Sequence, residues 1–158
     1  MANVTGIKEV QRALTKLSKS QIGENIVVGF TQNYAVFVHE NRGSRHATGK
    51  AGFLLDNAIE LKNEMASTVA EVTRKTGSVE KGLAVAGLRL QAVAQEDTPV
   101  DTGALKASAF TARESDLEAA SKAAFEKGTK KRNDEVAKRR TRAADKRTKA
   151  RKKRRKGK

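Results

Sequence analysis

The spacing of apolar residues near the amino terminus predicts a short helix followed by a strand. Four of them recur at intervals of three, four and three, which is one face of an α-helix: Ile7, Val10, Leu14 and Leu17. Thr5 is placed to cap that helix. The run Ile26–Phe30 is rich in β-branched residues and predicts a strand. A second apolar run at 34–39 either pairs with this strand as a hairpin or turns into a short helix.

The middle of the chain predicts two long helices joined by a short turn. Apolar residues over 54–72 keep intervals of four, three, four, four and three, and a similar rhythm returns over 79–94. Gly77 ends the first helix and Ser78 caps the second. Because the connection is so short, we expect an antiparallel helical hairpin. Its expected core residues are Leu61, Met65, Leu83 and Leu90.

A segment dense in turn residues, 98–103, separates this hairpin from the rest of the chain. Pro99 fixes its own φ, Asp101 is suited to cap the following segment, and Gly103 tolerates a positive φ. The stretch 104–112 is compatible with a third strand. Together these elements predict an α+β fold, a small antiparallel sheet packed on a helical hairpin.

The charge pattern divides the chain into a neutral body, 1–126, and a basic C-terminal arm, 127–158. The arm holds 18 Lys and Arg against three acids, which equals the net charge of +15 of the whole chain. Residues 116–126 favour helix, but no apolar stripe continues beyond Gly128. We therefore expect an extended arm that becomes helical only with a partner.

A dense block of like charge favours contact with a polyanion or an acidic surface. Such contact would be independent of nucleic-acid sequence, since no folded element places the side chains in a groove. The alternative is a solvated tail that aids solubility. The candidate contact residues are the cations Lys138, Arg139, Arg140, Arg142, Lys146, Arg147, Lys149, Arg151, Lys152, Lys153, Arg154, Arg155 and Lys156.

The composition of the chain argues against several other classes of function. The chain has no cysteine, so disulfides and thiolate metal sites are excluded. No apolar run reaches the ~20 residues of a membrane span, and no signal peptide follows Met1, which predicts a soluble protein made in a cytoplasm. Aromatic residues make up only 4% of the chain, which argues against single-strand binding by base stacking.

No constellation of residues favours catalysis. His39 and His46 are seven residues apart, but no third metal ligand stands at a recognisable spacing, so a structural hydrogen-bonding role for His39 is favoured. Asp97 and Asp101 bracket a turn, where capping is the expected role. The glycine-containing loop over 43–50 is not a P-loop, because alanine follows its lysine. We expect no enzymatic activity, no metal and no cofactor.

Three segments together resemble a known family. Residues 98–108 (TPVDTGALKAS) look like the "PVDTGxLrxS" signature of neck or tail-completion proteins of tailed bacteriophages. Residues 34–40 (YAVFVHE), followed by Phe53 and Leu54, resemble a second signature of these proteins, and residues 4–10 are also similar. In the commoner family order the Pro-Val-Asp-Thr-Gly turn precedes the Tyr-Ala segment, whereas here it follows.

The resemblance implies a non-enzymatic subunit of a homo-oligomeric ring at the head–tail junction of a virion, made in the cytoplasm of a host bacterium. Its implied partners are other neck, portal or tail proteins and packaged DNA, without a membrane. Folding and subunit contact are the implied roles of Tyr34, Glu40, Pro99, Asp101 and Gly103. Two alternatives stay open: a non-specific nucleic-acid-binding accessory protein and an internal capsid-associated protein.

Overall fold

The computed structural model describes residues 25–43, 46 and 48–156, of which 151–156 are described by their backbone alone. The predicted helix over residues 7–17 lies outside the described part. In chain order the elements are β1 (Ile26–Phe30), α1 (Ala35–Glu40), α2 (Leu55–Glu60), α3 (Lys62–Thr76), α4 (Val79–Asp97), α5 (Ala104–Ala107), β2 (Ala109–Arg113), a 3-10 turn (Glu114–Asp116) and α6 (Leu117–Lys156).

The predicted α+β class is confirmed. Within the described residues, the sheet has two antiparallel strands, with Ile26 opposite Arg113 and Phe30 opposite Ala109. The second apolar run forms α1, so the helix alternative for residues 34–39 is confirmed and the hairpin alternative is wrong. The helical turn begins at once, because the Ala35 N–H donates to the Gln32 carbonyl over 2.8 Å.

The helical hairpin is formed by α3 and α4, as predicted. Gly77 adopts the left-handed conformation with φ of 70°, and the Ser78 hydroxyl accepts a hydrogen bond from the Lys81 N–H. The two helices approach closely where α4 carries Gly82. A Cβ added to Gly82 would lie 2.8 Å from the Val69 carbonyl oxygen, so only glycine permits this separation.

Two element boundaries differ from the sequence prediction. The single helix predicted over 54–72 is divided into α2 and α3 at Leu61, whose ψ of 0° departs from the helical value. The Asn57 amide, which is buried in α2, donates to the Phe53 carbonyl over 2.6 Å and to the Asp97 carboxylate over 2.9 Å. The third strand predicted over 104–112 is correct only from Ala109, since α5 precedes it.

The core lies where the sheet meets α4, α5 and the loop before α2. Its buried apolar residues are Ala35, Phe53, Ala94 and Leu105. The Phe30 and Phe53 rings meet edge to face with centroids 4.9 Å apart. Gly87 lets α4 pack closely on the sheet, because a Cβ there would lie 3.0 Å from methyl carbons of Ile26 and Thr111.

The predicted hairpin core is confirmed in part. Leu90 is buried, whereas Leu61 and Met65 are only half-buried. The prediction for Leu83 is wrong, because this side chain is 37% exposed beside an open groove. None of the described helices has the length and apolar character needed to span a membrane.

Leu90→Ala should lower the free energy of unfolding by about 2 to 3 kcal/mol, since it removes buried methyl groups and leaves a cavity. The matched control is Leu88→Ala on the same helix, where the leucine is 56% exposed and the loss should stay below about 1 kcal/mol. Urea unfolding of both variants measures the difference. Equal losses would show that Leu90 does not belong to the core.

Candidate nucleic-acid interface

The basic segment belongs to one long helix. The α6 helix runs from Leu117 to Lys156 and crosses the predicted boundary between residues 126 and 127 without a break. Its Ala, Lys, Arg and Glu residues are strong helix formers. An acid at its start, Glu118, and a lysine- and arginine-rich end match the direction of the helix dipole. The helix thus includes the segment for which the sequence predicts an extended arm, and the dependence of its helical state on a partner stays a prediction.

The first part of α6 is held against the body, which explains how the helix continues. Ala124 and Gly128 are both buried. A Cβ on Gly128 would lie 2.5 Å from the Gln32 amide nitrogen and 2.8 Å from the Ala104 carbonyl oxygen. Ala124 and Gly128 lie on either side of the predicted boundary between residues 126 and 127. Tertiary packing thus supplies a formed helical segment, and adding further residues to it costs less than starting a helix anew.

An ion pair marks the last described contact between α6 and the body. One Arg139 nitrogen, Nη2, donates to Asp101 Oδ1 over 2.7 Å and to the Asp101 carbonyl over 2.8 Å. Arg139 Nε also lies 3.8 Å from the Glu135 carboxylate, one turn earlier. Both Asp101 and Arg139 are exposed to solvent, so this pair adds little stability.

The predicted capping role of Asp101 is wrong. The residue at the start of α5 is Gly103, with a φ of 75°, and no side chain caps that helix. The Thr102 hydroxyl instead accepts a weak hydrogen bond from the Ala104 N–H over 3.3 Å. The predicted positive φ of Gly103 is confirmed. Asp101 is thereby left facing α6, where it meets Arg139.

The two longer segments that carry the family resemblance lie against each other. Tyr34 shares a cavity of about 320 Å³ with Pro99, Asp101 and Gly103. Burial raises the pKa of the Tyr34 hydroxyl, although nearby Arg132 and hydrogen bonds to the Leu105 backbone and the Thr102 side chain oppose the shift. We call this cavity the motif cavity.

The remaining motif residue, Glu40, does not line the motif cavity. It borders a second cavity of about 190 Å³, together with Phe30 and Phe53. The structure therefore brings together Tyr34 and the Pro99–Gly103 turn, and it leaves Glu40 apart from them.

The predicted contact residues whose side chains are described lie on an exposed part of α6. Every side chain from Ala137 to Ala150 is exposed. Of the candidate cations with described side chains, Arg139 is the one that takes part in an ion pair between described residues. The other described candidates are Lys138, Arg140, Arg142, Lys146, Arg147 and Lys149, and residues 151–156 continue the helical backbone.

This part of α6 has a narrow face of small residues and a wider face of cations, a pattern that the sequence analysis missed. Small residues recur at intervals of four, three and four: Ala137, Thr141, Ala144 and Thr148. The Thr141 and Thr148 hydroxyls donate to backbone carbonyls of their own helix, 2.9 and 3.0 Å away. The cations from Lys138 to Lys149 occupy the rest of the circumference at 100° per residue. The interval pattern is visible in the sequence once a continuous helix is assumed.

Several cations of the described body form ion pairs with neighbouring carboxylates. The Asp97 carboxylate accepts from Asn57 and lies 3.0 Å from Lys50 Nζ, and these contacts lower the pKa of Asp97. Arg42 similarly lowers the pKa of Asp56. Further ion pairs are Arg113–Glu80, Arg89–Glu64 and Lys75–Glu71. The positive field is therefore concentrated on α6.

Neither histidine is placed for metal binding. His39 Nε2 accepts a hydrogen bond from the Leu55 N–H over 3.2 Å, and its ring packs against Phe53 with centroids 5.1 Å apart. The predicted hydrogen-bonding role of His39 is thus confirmed. His46 lines the motif cavity, away from His39. Within the described part of the chain, no three His, Asp or Glu residues converge on a point suited to a metal ion.

Comparisons of the chain with protein-family models, with curated proteins and with solved structures find no match. The resemblance to phage neck and tail-completion proteins therefore depends on the three sequence segments themselves. The charge and geometry of α6 are independent observations.

Gly128→Ala should lower the free energy of unfolding by about 1 to 3 kcal/mol, because the added methyl group overpacks the contact with Gln32 and Ala104. Alanine favours isolated helix by about 1 kcal/mol over glycine, so a net loss can only come from tertiary packing. Thr129→Ala on the adjacent position is the control. Thermal or urea unfolding measures both, and a stabilised Gly128→Ala variant would show that α6 does not contact the body here.

Proposed function

We propose that this chain is a non-enzymatic structural subunit of a tailed-phage virion at the head–tail junction, whose α6 helix binds packaged DNA. The observation that carries the DNA-binding part is the confinement of the net charge of +15 to residues 127–158. The phage part is supported by the sequence resemblance. Each part has its own test below.

The part of α6 beyond Arg139 has the charge density that a polyanion contact requires. From residue 140 to 156 there are 11 Lys and Arg and one acid, Asp145. These 17 residues form about 25 Å of helix beyond the Arg139–Asp101 contact. Cations at this density displace condensed counterions from DNA, which makes the binding strong at low salt and steeply salt-dependent.

The expected binding is independent of base sequence. The cations of α6 between Lys138 and Lys149 cover a broad sector, without the few fixed polar side chains that read base edges. Lysine and arginine contacts of this kind go to phosphate oxygens. A protein that holds packaged DNA of any sequence would need this kind of contact.

The exposed apolar residues support a subunit that contacts other proteins. Four large apolar side chains on α1 and α2 are more than half exposed: Val36, Phe37, Leu55 and Ile59. Exposed apolar side chains of this size can take part in protein contacts. The neutral body supports the same view, since it can associate with further copies without long-range repulsion.

We expect a variant with Lys146, Arg147 and Lys149 all replaced by glutamine to bind duplex DNA more weakly at every salt concentration. Each phosphate contact contributes about 0.9 to the slope of log K against log salt, so three lost contacts should lower the slope by about 2 to 3. Fluorescence anisotropy with two unrelated duplexes, from about 50 to 200 mM salt, measures this slope and its independence of sequence.

The matched control removes three exposed cations from the body, by replacing Lys62, Arg74 and Lys81 with glutamine. It changes the net charge by the same amount, and its slope should change by less than about 1. If both variants lose the same slope, net charge alone drives binding and α6 has no special role.

Assembly should depend on a polyanion or a partner. Helices from several copies around a channel would repel one another within a Debye length of about 8 Å at physiological salt. Sedimentation velocity should therefore show larger assemblies when DNA or purified virion connector is added. Electron cryomicroscopy of purified particles should place the chain at the head–tail junction. A monomer that is absent from particles would favour the nucleic-acid accessory protein instead.

A further inference from the structure

Four cations of α6 form a row along one side of the helix. Arg139, Arg142, Lys146 and Lys149 follow one another at intervals of three, four and three residues, and all four are exposed. At 100° per residue they lie within a sector of about 80°, and the row is about 15 Å long. We call it the basic row. Cations placed along one side of a helix suit contact with the phosphates of a DNA strand.

Arg139 is the member of the basic row that contacts the body, and Asp101 is its partner there. Arg139 Nη2 donates to Asp101 Oδ1 over 2.7 Å and to the Asp101 carbonyl oxygen over 2.8 Å. In the described part of the chain, the other three members of the row form no ion pair. A carboxylate of the body therefore neutralises one end of the basic row.

We propose that Asp101 is an intramolecular competitor of DNA, whose carboxylate occupies Arg139 in place of a backbone phosphate. This proposal rests on the DNA binding proposed above. It adds a contact within the chain that weakens this binding.

The chemistry of the ion pair allows such an exchange. The N–H groups of a guanidinium bind carboxylate and phosphate oxygens in the same way, through charge-assisted hydrogen bonds. Here the contacts shorter than 3 Å are both made by Nη2, and both go to Asp101. A phosphate oxygen can therefore replace Asp101 Oδ1 without changing the kind of contact that Arg139 makes.

The exposure of the pair determines how strong the competition is. The Asp101 side chain is 80% exposed and that of Arg139 is 51% exposed, so DNA can reach both partners. An ion pair in this position is weak, and a phosphate displaces it readily. We therefore expect Asp101 to reduce the affinity for DNA about two- to fivefold, without preventing binding.

Asp101→Asn removes the charge of the carboxylate and keeps the shape of the side chain. It should tighten binding to a duplex about two- to fivefold, measured by fluorescence anisotropy at about 100 mM salt. The matched control is Asp134→Asn. Asp134 is exposed on α6, about 140° from Arg139 around the helix, and forms no ion pair with another described residue. The control changes the net charge equally but releases no cation, so its effect should stay below about 1.5-fold.

The same substitutions in an Arg139→Gln background separate competition from long-range charge. In this background Asp101 no longer neutralises a cation, so Asp101→Asn and Asp134→Asn should have equal effects. Circular dichroism checks that each variant retains its helices.

Two results would overturn the competition while leaving the DNA binding of α6 intact. One is a gain from Asp101→Asn no larger than that from Asp134→Asn. The other is a gain that persists in full after Arg139→Gln. If the unmodified chain does not bind the duplex in the same titration, the proposed function is wrong, and the competition is refuted with it.

A second measurement uses the unmodified chain. The Nε–Hε signal of Arg139 in a ¹⁵N NMR spectrum, assigned by its loss in Arg139→Gln, should shift when saturating duplex is added, because Arg139 changes its partner. Arg89, which pairs with Glu64 on the body, is the control and should not shift. An unchanged Arg139 signal, in a spectrum where the Arg142 signal shifts, would show that Arg139 keeps Asp101 as its partner and would contradict the proposal.

Discussion

The body depends on the packing of helices against a sheet of two strands. Two strands alone are marginally stable in water, and they need packing against helices. In this chain, α4 lies on one side of the sheet and α6 contacts the strands as well. Glycine at position 87 helps α4 to approach the sheet, because a Cβ there would lie 3.0 Å from the Ile26 and Thr111 methyl groups, which would have to shift slightly. The long basic helix is therefore part of the body as well as its charged extension.

This double role of α6 links stability to electrostatics. A helix with many like charges gains little from its own side chains, and its isolated stability is limited by repulsion between them. The buried residues Ala124 and Gly128 hold the amino-terminal part of the helix against the body, and the exposed Arg139–Asp101 pair is a further contact between helix and body. The cations beyond Arg139 are then presented along a rod and not on a coil. A rod holds its charges close together, so a polyanion meets a high local density of cations.

The body shows the opposite arrangement of charge. Its acidic and basic side chains are equal in number, and some of them form ion pairs, such as Arg42 with Asp56 and Lys50 with Asp97. The Lys50 pair joins a loop to the end of α4. The Lys50 N–H also donates to the Asp97 carbonyl over 2.9 Å. Such pairs cancel the field of the body at distances beyond about 10 Å. The segregation of charge between body and helix is thus produced by both the sequence and the local pairing.

The sequence by itself determined the local elements and the charge. The helical period of the apolar residues predicted α3 and α4, and Gly77 and Ser78 marked their junction. The β-branched residues predicted β1. All of these signals act between neighbours along the chain, so they can be recognised in the sequence. The concentration of positive charge in residues 127–158 is likewise found by counting the charged residues of the sequence. Tertiary structure decided which segment pairs with β1, since Ile26 meets Arg113 across 87 residues and no local period reports such a partner. It also decided that Asp101 faces Arg139 instead of capping α5, and that the helix continues through Gly128. Those outcomes depend on the packing of distant surfaces, which spacing along the chain does not encode.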